Sequence, residues 1–160
     1  MGAPQWLRIR RKPTWSEALG TADLPTTGGS DGRLEVAVLF TSLEATTGAL
    51  ERTALLLHGL NARINLVAAQ TVPYPLALEN PPVSVAFNER RLLWLAKRSP
   101  VETRVHLYHC RSRFEMLVSV LKAGSVLTIG SRRRWWPTWE RKLARRLSRA
   151  GFQVIPVELS

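Results

Sequence analysis

Leu34-Glu-Val-Ala-Val-Leu-Phe-Thr-Ser-Leu-Glu44 decides the fold. Its first seven residues are a nearly continuous apolar run, the pattern of a strand covered on both faces. Thr41-Ser-Leu-Glu44 follows at once with the Thr-x-x-Glu spacing of a capping box, which starts a helix. That helix is expected from about Leu43 to His58, with Leu50, Ala54 and Leu57 on one face and Gly59 at its C-terminal cap.

The same alternation continues along the chain. Ile64 to Val72 reads as a second buried strand, ended by Pro73 and Pro75. After Pro81-Pro82, Ser84 caps a helix reaching Arg98, with Val85, Leu92 and Ala96 on one face and Trp94 near its edge. Val101 to His109 is a third strand of mixed polarity, as an outer strand should be. Val101, Thr103, Val105 and Leu107 share one side of it; Glu102, Arg104, His106 and Tyr108 share the other. Ser112-x-x-Glu115 is a second capping box, opening a helix to about Ala123 with Gly124 as its stop. Ser125 to Ile129 is a fourth strand, and a helix ending at Ala150-Gly151 leads to a closing strand, Phe152 to Leu159. Such alternation specifies an α/β fold: one doubly wound five-stranded parallel sheet with helices on both faces. Pro156 marks the closing strand as an edge.

The chain has 160 residues, enough for one domain, here 34–160. Residues 1–33 read as a separate flexible leader, because the Thr26 to Gly32 run cannot bury enough apolar surface to order itself. In that leader Trp6, Leu7 and Ile9 interleave with arginines, which suits either an adhesive arm or a disordered tail. One cysteine, Cys110, excludes an intramolecular disulfide, and no apolar run has the length of a spanning helix. A cytoplasmic protein is expected. The net charge of +11 favours acidic partners: nucleic acid, an anionic surface, nucleotides or an acidic protein.

Val126-Leu-Thr-Ile-Gly-Ser-Arg132 is similar to the fourth strand and following turn of universal stress protein domains. The first strand with Thr41-Ser-Leu-Glu44 resembles that family's first strand and helix start, and Phe152 to Glu158 its closing strand. The resemblance covers about residues 34–159. It implies strand order 3-2-1-4-5 and a ligand crevice at the switch point between strands one and four. Thr41 and Ser42 would wall that crevice on one side and Gly130 and Ser131 on the other, with Arg132 and Arg133 next in line. It also implies a homodimer through the last strand.

The departures concern the cofactor. ATP-binding members carry an aspartate at the end of strand one, where this chain has Thr41. They carry Gly-x-x-Gly after strand four, and the second glycine position here is Arg133. The later Gly-Ser pair is absent, with Leu143 and Ala144 in that region. Glycine lets backbone approach phosphate oxygens closely, and a Cβ with a long side chain obstructs that approach. The sequence therefore resembles the branch of the family that does not bind ATP, although arginines can still attract a phosphate in another geometry.

Other chemistry is sparse. His106 and His109 are three apart on a strand, so they point to opposite faces and do not pair as metal ligands. Asp23 and Asp31 are the only aspartates, both in the leader, which excludes a receiver-type phosphoacceptor. No catalytic residue stands out, and the expected function is a non-enzymatic regulatory domain that binds a partner. In the last helix Pro137 suits the first position, and Trp136, Trp139, Leu143, Leu147 and Ala150 form the stripe expected to face the sheet. Its arginines then lie on the solvated face. Arg132 to Arg134 with Trp135 form a basic-aromatic patch, open to a nucleic acid, an anionic membrane surface or an acidic protein, or to local arginine–indole packing.

Overall fold

The computed structural model describes residues 6–8 (as backbone), 32–133 and 138–160. Expectations for Arg134, Trp135, Trp136 and Pro137, and for most of the leader, fall outside the described residues. The elements are β1 (Trp6–Arg8), β2 (Leu34–Leu39), α1 (Leu43–Leu56), β3 (Ala62–Thr71) and α2 (Val85–Arg98). They continue with β4 (Thr103–Cys110), α3 (Arg113–Val120), β5 (Val126–Arg132), α4 (Trp139–Arg149) and β6 (Gln153–Leu159).

Five parallel strands lie in the order β4-β3-β2-β5-β6, the doubly wound order 3-2-1-4-5. Connection direction reverses at β2, so the helices fall on two faces. Val36, Val38, Ile64, Leu66 and Leu107 pack with Leu50 of α1, Leu57 at its C-cap, and Leu92 and Leu95 of α2. Leu39, Val67, Tyr108, Leu127 and Ile129 pack with Met116, Leu117, Leu143 and Leu147 of α3 and α4. Burying each such leucine stabilises the fold by about 1.5–3 kcal/mol.

The sheet has a sixth strand that the sequence reading did not place. Within residues 1–33, β1 pairs antiparallel with β4, Leu7 opposite His109. It covers the outer edge of β4, so β4 is not outermost, and residues His106 to Cys110 are all buried.

Local chemistry explains the element ends. Ser42, not Thr41, caps α1: its hydroxyl accepts from the Ala45 N–H. Ser112 caps α3 in the same way, accepting from Glu115 N–H. Helix α4 ends in a Schellman motif, in which Gly151 N–H donates to Ser148 O and Phe152 N–H to Leu147 O. Gly151 takes φ of +97°, a conformation glycine adopts without steric cost. The expected stripe on α4 is only partly correct. Leu143 and Leu147 are buried, but Trp139 and Ala150 are exposed. Trp139 instead lies beneath the Arg113 guanidinium, 4.4 Å from ring centroid to Cζ, and Ala144 takes the neighbouring core position.

Candidate functional site

The switch point lies between β2 and β5, where Leu39 pairs with Ile129. The structure brings Thr41, Ser42, Gly130 and Ser131 together there, but not as the walls of a crevice. Strand β5 does not turn at Gly130. Gly130, Ser131 and Arg132 continue the ladder opposite Val157, Glu158 and Leu159. The Arg133 N–H follows, donating to Leu159 O at 3.1 Å. A phosphate loop needs backbone N–H groups aimed at the ligand, and here the Arg133 N–H is spent on β6. The expected turn is thus a strand, because β6 is long enough to pair with it.

Helix α1 closes the space above. Gly130 is buried, and a Cβ built on it would fall inside contact distance of Ala45 O, with Ala45 C at 2.8 Å and Ala49 Cβ at 3.2 Å. Small residues at Ala45 and Ala49 let α1 settle onto the strand. The Thr41 hydroxyl donates to Gly130 O at 2.9 Å, stitching β2 to β5 across the switch point. Thr41 N–H donates to Thr46 Oγ1 at 3.1 Å, and Thr53 donates to Thr128 at 3.1 Å in the buried interface. Arg132 pairs with Glu44 over the mouth, both side chains exposed, and Arg133 faces solvent. An exposed pair like Arg132–Glu44 contributes about 0–1 kcal/mol, so the threonines and the helix contact, not this bridge, hold the closure.

A second polar cluster sits at the other end of the sheet. Glu35, Arg63, Asn65 and His106 are all buried on the α3–α4 face of β2, β3 and β4. Arg63 bridges Glu35 at 3.3 Å and Glu102 at 2.9 Å. Asn65 Nδ2 donates to Glu35 Oε2 at 3.1 Å, leaving Asn65 Oδ1 to accept from His106 Nε2 at 3.2 Å. His106 therefore carries its proton on Nε2. Arg33 and Arg104 complete the rim at Glu102. Burial disfavours ionised Glu102, but the Arg63 hydrogen bond and the charges of Arg63, Arg104 and Arg33 outweigh it and hold its pKa below the ordinary 4.5. Burial, then repulsion from Arg63, lowers that of Arg104. A depressed carboxylate adds stability that is present above pH 4.5 and lost as pH falls through the folded value. Thermal melts should thus show a falling midpoint on acidification, and Glu102→Gln should flatten that fall.

The histidines and the cysteine of β4 are held inside the fold. His106 and His109 do point to opposite faces, His109 donating from Nδ1 to Leu78 O at 2.6 Å. Among the described residues no three His, Cys, Asp or Glu side chains group to hold a metal. Cys110 is fully buried, and burial pushes its thiol up to about 11, against the smaller opposing effect of Arg113. The native thiol should not react with Ellman's reagent at pH 8 until denaturant is added. Release of thionitrobenzoate from the folded protein within minutes would contradict this placement.

Helix α2 forms where the sequence places it, but its exposed side chains carry no expected role. Phe87 and Trp94 are half exposed there, beside Arg90, Arg91 and Arg98. Among the described residues no helix is long and apolar enough to cross a membrane.

No family model, curated protein or solved structure matches the chain.

Proposed function

We propose that the chain is a non-enzymatic regulatory or stress-response domain of the universal stress protein kind, which acts by binding a partner and does not use ATP. The closure of the switch point supports this reading. Helix α1 sits on Gly130 where the phosphates of a nucleotide would lie, and Thr41, in place of an aspartate, hydrogen-bonds across the gap.

The reading includes self-association through β6, the outer strand on its side of the sheet. Gln153 N–H and Leu159 O bond towards β5, so the alternate residues Val154, Pro156 and Glu158 direct their backbone groups to the open edge. Pro156 withholds the central donor of that edge, a feature that limits uncontrolled pairing. Light scattering at micromolar concentration is expected to give twice the 18.0 kDa of the chain. Pro156→Val, which restores the donor, should tighten the association. A clean monomer would remove self-association from the reading.

A second reading is a basic module for nucleic acid or an anionic membrane surface. Lys142, Arg145 and Arg149 support it: they lie exposed along α4 with no acidic partner among the described residues. Gel shift and vesicle pull-down at low salt would then show binding that falls steeply as salt rises. No binding to either surface would end that reading.

A further inference from the structure

We propose that the groove between α1 and α2 is a docking site for an acidic amphipathic peptide segment of a partner protein. This rests on the partner-binding reading and names the chemistry of the partner. Helix α2 carries Phe87, Arg91, Trp94 and Arg98 at spacings of four, three and four, which places them on one face. Leu43 of α1 faces the start of that stripe. Leu43, Phe87, Arg90, Arg91 and Trp94 line an open hollow of about 460 Å³. A separate, smaller hollow of about 120 Å³ lies between the same two helices, lined by Thr47, Glu51, Leu95 and Arg98 among others. From Phe87 to Arg98 the stripe runs about 16 Å at 1.5 Å per residue, the length of about three turns of a docked helix.

The composition of the groove selects its occupant. Leu43, Phe87 and Trp94 are 39%, 47% and 50% exposed, three large apolar side chains left in water together. Such a patch rimmed by charge marks an interaction surface. The charge is basic. Arg90, Arg91 and Arg98 have no carboxylate partner among the described residues, and Glu51 is the lone acid lining either hollow. Arg91 lies over Phe40 and Phe87, at 5.3 and 5.4 Å, and Arg98 over Trp94 at 4.6 Å. Stacked guanidinium groups are held in place with in-plane N–H donors still available for a bidentate carboxylate. The same stacking covers ring faces on which bases would otherwise stack, which favours an acidic peptide over single-stranded nucleic acid. An aliphatic anchor fills the hollow and flanking carboxylates reach the arginines, the helix-in-groove mode of recognition.

The test uses a fluorescein-labelled helical peptide with leucines at i, i+3, i+4 and i+7 and glutamates elsewhere, read by anisotropy with the full chain. Binding is expected, and the same peptide with glutamine for glutamate should bind far less. Arg91→Glu with Arg98→Glu should weaken it at least about tenfold, as should Trp94→Ser, while Arg145→Glu with Arg149→Glu, an equal charge change on α4, should alter it less than about threefold. All these side chains are at least partly exposed, and unchanged melting curves would establish that each variant folds. Equal loss from the two charge reversals would reduce the effect to net charge and overturn the site. So would tighter binding of an oligothymidylate or of phosphatidylserine vesicles lost with Trp94→Ser, or no peptide binding at all. In any of these cases the closed switch point, and the partner-binding reading built on it, would stand or fall by its own measurements.

Discussion

Gly130→Ala should lower stability by about 3 kcal/mol, which for a domain of this size is a fall of about 6–12 °C in melting temperature. The added methyl meets the Ala45 carbonyl, which is main chain of α1 and cannot rotate away. Relief requires α1 to lift from β5, which also breaks the Thr41 and Thr53 hydrogen bonds. Gly48→Ala is the control. Its new methyl meets only the Leu159 side chain, the far end of a flexible group near the C-terminus. It should cost little, and the gain in helix propensity partly offsets that cost. Urea unfolding of both variants measures the contrast. Equal stabilities would mean that α1 does not rest on Gly130.

Arg63→Met should be at least as damaging, with a loss of about 3–5 kcal/mol. The Arg63 and Glu35 side chains are 5% and 3% exposed, so removing the cation leaves a carboxylate inside the protein with only Asn65 to hold it. Glu102 loses its closest buried partner at the same time. The double variant Glu35→Leu with Arg63→Met should recover a large part of the loss, since replacing a whole buried pair with apolar groups is often neutral or better. If the double variant were as unstable as the sum of its singles, the two residues would not be acting as a pair.

The backbone of the fold was legible because apolar runs alternate with helix-start signals. Ser42 and Ser112 start helices close to where the pattern places them, and the alternation leaves a parallel doubly wound sheet as its consequence. What escaped notice depended on contacts distant in sequence. Gly130-Ser131 looks like a turn from its neighbours alone, and becomes strand because β6 runs alongside it to Leu159. Thr41 fits a capping box by spacing, yet its hydroxyl goes to Gly130, 89 residues away. Trp139 has the right helical phase for the core but lies at the first turn of α4, where Arg113 covers it instead.

The polar cluster did leave a signal. Glu35 inside an apolar strand, with Arg63, Asn65, Arg104 and His106 of matching parity on later strands, is a pattern of charges sharing one face. It becomes readable once strand order and register are known. The three residues of β1 carry no such pattern, and their pairing is fixed by the free edge of β4 rather than by their own sequence.

Equilibrium dialysis with labelled ATP and magnesium tests the closed switch point most directly. With α1 seated on Gly130 and the Arg133 N–H committed to Leu159, no saturable binding is expected up to millimolar nucleotide. Saturable binding in the micromolar range or tighter, lost on Arg133→Ala, would contradict the account.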